Sequence, residues 1–319
     1  MAAADGTGPL MRAPLTIPTL FCINASYAKH VAVCIVSLLE NNPDAFFDLV
    51  VVSTGDLGVE AAKLRHTVAA YANCTLKMKR LAADAGRHLP IRGHYSIDNY
   101  TRLWVTDFFA ESVSKVLYLD SDMVVVGDVT RLWQMDMGDA IIGAVTIPGS
   151  DRCAAFGIPE SYGYFNSGVL LMDLAKWRRE NVFPTLMDYL GNNAEKIVDA
   201  DQDVLNACLY DRRLDLPYIY NVISPFYFTH HPLGLTDAVV ETVRRDAAIV
   251  HFNGASKPWS YMSHHPRRAD YWRYLAHTEW RGEGPADRNF TNWTKKTIGP
   301  LLPDGLRAYV RAKVSALAG

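Results

Sequence analysis

The 319-residue chain is 49% hydrophobic and carries 32 Lys and Arg against 34 Asp and Glu, a net charge of −2. That length supports one large globular domain, and so balanced a charge excludes a surface built for a polyanion such as nucleic acid. The five cysteines (Cys22, Cys34, Cys74, Cys153, Cys208) fit no close-spaced metal pattern and read as reduced thiols of a cytoplasmic protein.

Residues 1–18, small, polar and containing Pro and Gly, predict a flexible leader without the apolar core of a signal peptide. No run of 18 apolar residues exists, so no transmembrane helix is expected. A buried strand is predicted over 19–25, a helix over 27–40, a strand over 48–54, a helix over 59–72 and a strand over 74–81. Residues 97–109 have helical spacing, with Asp98 as N-cap. Strands follow over 115–126, 139–145 and 164–174. Alternation of this kind predicts an α/β fold with a mostly parallel, doubly wound sheet, whose ligands bind beyond the strand ends. A helix starting at Asp201 and a strand over 247–251 complete a domain spanning 19–265. From 266 to 319 basic and aromatic residues interleave, which predicts a C-terminal helical extension. An amphipathic helix over 306–317 suits either an anionic membrane surface or packing on the domain.

The chemistry begins in Lys115-Val-Leu-Tyr-Leu-Asp120-Ser-Asp122-Met-Val-Val-Val126, which places two carboxylates two residues apart in an apolar strand. Residues i and i+2 of a strand share a face, so Asp120 and Asp122 converge. Burying two like charges is costly unless a cation lies between them, which implies a divalent metal and, with it, a diphosphate. His251 closes an apolar strand and precedes Gly254 and Lys257. Gly254 permits close backbone approach to a ligand, and Lys257 offers charge for phosphate. Asp201-Gln202-Asp203 either caps a helix or offers a carboxylate and an amide to sugar hydroxyls and an oxocarbenium-like centre. Asn166-Ser167-Gly168 interrupts a strand, as a bulge or as groups exposed to a ligand.

These motifs, in this order, resemble glycosyltransferase family 8, the family of glycogenin, galactinol synthases and bacterial lipopolysaccharide galactosyl- and glucosyltransferases. The resemblance runs from about Thr19 to Trp280 and is nearest the lipopolysaccharide type. It implies a GT-A nucleotide-sugar fold, with Mn²⁺ (or Mg²⁺) held by Asp120, Asp122 and His251. It also implies that Gly254 and Lys257 contact the diphosphate, and that Arg102 lies near donor sugar and phosphate. Asn166, Ser167, Asp201 and Gln202 would line the donor hexose, with Ser121 between the metal-binding aspartates. His94 and Tyr95 fall where donor and acceptor meet, and Phe21, Cys22 and Asn24 near base and ribose. Two departures stand out. Asn24 replaces an aspartate frequent in the family at the uracil, and no carboxylate stands at Ile147-Pro148, where the family has an acid and Asp151 is the nearest.

The implied reaction is transfer of galactose or glucose from UDP-hexose to a saccharide or glycolipid hydroxyl with retention. Gln202, Asp201 and Arg102 are the expected catalytic residues, and front-face attack is favoured over a covalent intermediate on Asp201. A sugar nucleotidyltransferase is the rival enzyme, disfavoured because Phe21-Cys-Ile-Asn-Ala-Ser-Tyr27 lacks a Gly-rich phosphate loop. A non-catalytic nucleotide-sugar-binding module is the other alternative.

Overall fold

The computed structural model describes residues 15–82, 85, 86, 89, 97–230 and 232–298. Apolar and β-branched runs form strands Leu15–Ile23 (β1), Ala45–Ser53 (β2), Cys74–Arg80 (β3), Lys115–Leu119 (β4) and Met123–Val125 (β5). Ile142–Thr146 (β6), Phe165–Asp173 (β7), Arg213–Asp215 (β8), Val222–Ile223 (β9) and Ile249–His251 (β10) follow. The main sheet has seven strands in the order β3-β2-β1-β4-β7-β6-β8, and a small sheet has the order β5-β10-β9. β3, β2, β1 and β4 are mutually parallel, whereas β7 runs antiparallel to both β4 and β6.

Alternation along the strands divides the core. Ile17, Phe21 and Ile23 of β1 face one side with Phe47, Leu49 and Val51, while Leu20 faces the other with Val50 and Val52. Helix Ala28–Asn41 covers the first face and is buried almost all round, because the main sheet, β5 and helix Arg268–Leu275 enclose it. Helices Leu174–Arg179, Val182–Asn192 and Ala200–Leu209 cover the second face. Each fully buried Leu or Val in these layers contributes about 1.5–3 kcal/mol.

Four sequence expectations change. β1 begins at Leu15 and pairs from there with Ala45, so residues 15–18 belong to the sheet rather than to a leader. Residues 97–109 form a short α-helix (Ile97–Tyr100) and a 3-10 segment (Thr101–Phe108) bent at Trp104, and Asp98 lies in the first turn. The aspartate run is two strands, not one: β4 ends at Leu119, and β5 pairs with β10 in the other sheet. The Asp120 N–H makes the crossing bond to Gly168 O (2.8 Å), and the chain then turns away. Lastly, Tyr271, Tyr274, Leu275 and Trp280 are buried in the same core as helix Ala28–Asn41, so the region after 266 is continuous with the domain that far. The helix expected over 306–317 lies outside the described residues.

Candidate active site

The β4–β5 turn and the end of β10 meet at the C-terminal edge of the parallel strands. The Phe252 N–H donates to Asp122 O at 2.9 Å, which ties the two segments together. Asp120, Asp122 and His251 each turn one ligand atom inward, all within 4.8 Å of one another. His251 Nε2 lies 3.3 Å from Asp122 Oδ1 and 3.8 Å from Asp120 Oδ2. Two carboxylates and an imidazole suit a divalent cation such as Mg²⁺ or Mn²⁺, so the donor set fits the metal that the sequence implies. Lys257 Nζ lies 2.5 Å from Asp122 Oδ2 and donates also to Phe252 O at 2.9 Å. Burial by itself would raise the Asp122 pKa, but His251 and Lys257 outweigh it and hold the carboxyl well below the usual range.

Gly168 makes room for this cluster. A Cβ there would lie 2.5 Å from His251 Cε1, 2.8 Å from Met123 Cε and 2.9 Å from Asn166 Oδ1. The adjoining interruption of β7 is a bulge: Ala144 of β6 pairs with Leu170, but Val145 pairs with Asn166.

Behind the aspartates lies Arg102, 5% exposed. Its NH2 is 3.0 Å from Asp120 Oδ1, its NH1 donates to Ser167 O at 2.6 Å, and its guanidinium lies 4.2 Å from the Tyr118 ring centre. Tyr118 donates to Asp120 Oδ1 at 2.6 Å. Arg102 Nε is 3.0 Å from Asp201 Oδ2, yet the two are not aligned as a hydrogen bond, and both atoms are buried without one. Burial therefore dominates at Asp201 and pushes its pKa up to about 7, against the pull of Arg102.

A relay of amides joins His251 to the second carboxylate pocket. His251 Nδ1 lies 2.9 Å from Asn221 Oδ1, and Asn221 Nδ2 donates to Asn166 Oδ1 at 2.8 Å. Asn166 Nδ2 in turn donates to Gln202 Oε1 at 2.9 Å, and the Ser167 N–H donates to the same oxygen at 3.1 Å. Asp203, by contrast, is wholly buried, and it accepts from Arg152, Tyr164 and the Val198 and Asp199 N–H groups. Its role is to hold the start of helix Ala200–Leu209.

In front of the metal cluster opens a cleft of about 740 Å³, open mouth included, lined by Cys22, Asn24, Tyr27, Asp98, Arg102 and Lys257 among others. Asp120, Ser121 and Asp122 form its floor beside Ile23 and Asn99.

Residues 18–263 match the model of glycosyl transferase family 8. The chain belongs to that family. General stress protein A of Bacillus subtilis is 28% identical over 271 residues, which cover 82% of this chain and 94% of that protein. A lipopolysaccharide 1,2-glucosyltransferase of Escherichia coli K12 is 26% identical over 291 residues, which cover 88% and 83%. The crystal structure of the galactosyltransferase LgtC with donor and acceptor sugar analogues superposes with a TM-score of 0.72 at 24% identity. That match covers 83% of this chain and 99% of LgtC, and it identifies the fold as GT-A.

This family 8 glycosyltransferase brings most of the sequence-predicted residues to one place. Cys22, Asn24, Arg102, Asp120, Ser121, Asp122 and Lys257 line the cleft, and His251, Asn166, Ser167, Asp201 and Gln202 adjoin it through the contacts above. Gly254 lies on the exposed turn before Lys257, at φ +79°. Phe21 does not line the cleft: its side chain is wholly buried, because β1 alternates and turns Phe21 into the core. His94 and Tyr95 lie outside the described residues. Sequence reasoning missed Asn221, Tyr27 and Asn99, and it read Asp98 only as a helix cap. A lone amide opening the short apolar pair Val222-Ile223 was the one available signal for Asn221.

Proposed function

We propose that this glycosyltransferase moves a hexose from a UDP-hexose to a hydroxyl of a lipopolysaccharide-type glycan, with retention at the anomeric carbon and dependence on Mn²⁺. The observation that carries the reading is the Asp120, Asp122 and His251 cluster with Lys257 on one side and a polar pocket of Asn166, Asp201 and Gln202 on the other. The printed activities of the lipopolysaccharide glucosyltransferase and of LgtC support the choice of substrate class.

In this reading Asp120, Asp122 and His251 would hold the cation, which would supply positive charge against the departing diphosphate. Lys257 exchanges Asp122 for a phosphate oxygen, and Arg102, fixed by Asp120 and Ser167, keeps a second positive charge near the breaking bond. Asn166 and Gln202 orient the hexose, and Tyr27 offers an aromatic face to the base. The bond from C1 to the diphosphate oxygen breaks, the acceptor oxygen bonds C1 on the same face, and its proton passes to the leaving phosphate. Gln202 Oε1 already accepts two hydrogen bonds, so its contribution to a cationic C1 requires one of them to be exchanged for substrate. Exposed Phe290, Trp293 and Ile298, near Lys295 and Lys296, support a peripheral contact with the membrane that presents a glycolipid acceptor.

The test is incubation with UDP-glucose, UDP-galactose and their N-acetyl forms, with Mn²⁺ or with a chelator. Chelator-sensitive UDP release that Asp122→Asn abolishes, with the melting curve unchanged, is expected. Turnover retained in Asp122→Asn overturns the reading, as does pyrophosphate-dependent formation of UTP.

A further inference from the structure

Four aromatic rings meet behind the cleft. Tyr27 and His30 stand three residues apart at the start of helix Ala28–Asn41, so they share a face of it. Trp259 lies two residues beyond Lys257, and Tyr271 belongs to helix Arg268–Leu275. The His30 imidazole lies flat on the Trp259 indole, with ring centres 3.5 Å and planes 19° apart. Tyr27 meets both rings edge-on, at 5.4 Å from His30 and 6.1 Å from Trp259. The Tyr271 hydroxyl lies 2.8 Å from His30 Nδ1, and its ring centre is 5.5 Å from that of Trp259. Burial pushes the His30 pKa down to about 3, so the ring is neutral near pH 7 and adds no charge beside Lys257.

Tyr27 of this cluster and the neighbouring Lys257 line the cleft, and the Lys257 ammonium lies 5.9 Å from the Trp259 ring centre. Lys257 sits on a turn whose two sides differ. On the near side Gly254 has φ +79°, and no atom lies within 4 Å of where its Cβ would stand, so packing does not fix the chain there. On the far side Pro258 fixes its own φ and restricts that of Lys257, so a shift of Trp259 is passed on to Lys257. Two contacts hold this side. Pro258 O accepts from Arg268 Nε at 3.0 Å and from Trp272 Nε1 at 3.1 Å, and Trp259 lies on His30. The first ties the turn to helix Arg268–Leu275, and the second ties it to the segment that carries Tyr27.

We propose that His30 is a positioning residue for the nucleotide donor. By stacking on Trp259 and meeting Tyr27 edge-on, it fixes Lys257 relative to Tyr27, so that one nucleotide meets the aromatic face and the ammonium together. The proposal rests on the nucleotide-sugar reading above and adds to it a residue outside the lining of the cleft.

Calorimetry on the full-length protein, of UDP with Mn²⁺ present and of Mn²⁺ alone, tests this together with steady-state kinetics on the UDP-hexose that turns over. An aromatic pair of this kind is worth about threefold to tenfold in an equilibrium. His30→Ala should weaken UDP by that factor and raise KM for the UDP-hexose, with kcat and the affinity for Mn²⁺ alone nearly unchanged. His30→Leu fills the volume without a flat ring, and carries the same expectation if His30→Ala fails to fold. His30→Phe keeps the flat ring and loses only the contact with Tyr271, so it should regain most of the loss. Trp259→Leu removes the same stack from the other side, so a double variant with His30→Leu should bind UDP no more weakly than Trp259→Leu alone. Unchanged UDP affinity in the His30 variants overturns the proposal and leaves the transferase reading standing, as does an equal loss of UDP and Mn²⁺ affinity or an additive loss in the double variant. A wild type that binds no UDP overturns both.

Discussion

Asn221 Oδ1 lies 2.9 Å from His251 Nδ1, and because an amide oxygen only accepts, Nδ1 carries a proton and Nε2 is the ring atom turned to Asp120 and Asp122. The Asn221 amide cannot flip. Its nitrogen donates to Asn166 Oδ1, an oxygen whose identity is fixed by the Gly168 N–H at 3.0 Å. A main-chain group of the β7 bulge thus fixes which ring nitrogen of His251 on β10 faces the two aspartates.

Asn221→Ala should therefore weaken the cation without touching it. Loss of an outer partner of this kind costs about 10–100-fold in metal affinity. Titration of the chelator-treated protein with Mn²⁺ measures it, and an unchanged affinity would show that Asn221 is only packing.

Gly168→Ala probes the same geometry by volume. The added methyl would overlap His251 Cε1 and Met123 Cε, atoms held by the β5–β10 pairing, so the ring must move. Overpacking of this sort costs about 1–3 kcal/mol of stability. Urea denaturation should report that loss, together with weakened Mn²⁺ binding. Should the variant bind Mn²⁺ like the wild type, the close approach at Gly168 has no bearing on the site.

How much of this was legible in the sequence depends on the range of the interactions. Val116 to Leu119 and Val169 to Met172 are apolar runs whose fate is local, and their strands were readable. The break at Asp120 was not, because alternation continues through Asp122 into Met123-Val-Val, and only pairing with Ile249–His251 moves that piece to another sheet. Asp120, Asp122 and His251 were recognisable because buried charge demands a partner whatever the topology. Asn221 was not, since its significance lies in contacts 30 residues away with His251 and 55 away with Asn166. Asp98 looked like a cap because acids at helix starts usually are. Its carboxylate also accepts from Asn24 and Thr54 on two neighbouring strand ends, contacts that no local pattern announces.

A variant at Lys257 tests the proposed metal and nucleotide roles separately. The Lys257 ammonium lies 2.5 Å from Asp122 Oδ2, a carboxylate of the candidate metal site, so under the proposed exchange it would oppose a cation without nucleotide and be released to phosphate with it. Lys257→Ala should leave Mn²⁺ affinity unchanged or improved in the absence of nucleotide, yet weaken UDP by about tenfold. Paired calorimetric titrations decide this, and a parallel loss of both affinities would make Lys257 a structural support for the turn after Gly254.

The last prediction concerns Asp201, whose carboxyl is raised from 3.8 in the unfolded chain to about 7 by burial, with Arg102 in opposition. Between about pH 4 and pH 7 the folded state then holds a proton that the unfolded state has released. Its contribution to stability is complete below the unfolded value and is lost as pH rises through the folded one, so this group makes the enzyme less stable at pH 8 than at pH 5. The full effect is at most about 4 kcal/mol at 1.36 kcal/mol per unit, and less because Arg102 stays beside the charge. Asp201→Asn carries no proton to lose, and it should flatten the fall between the two pH values. Urea denaturation at pH 5 and pH 8 with chelator present compares the two proteins. If the variant falls as steeply as the wild type, Asp201 is ionised throughout, and the Arg102 contact at 3.0 Å is a full ion pair despite its poor alignment.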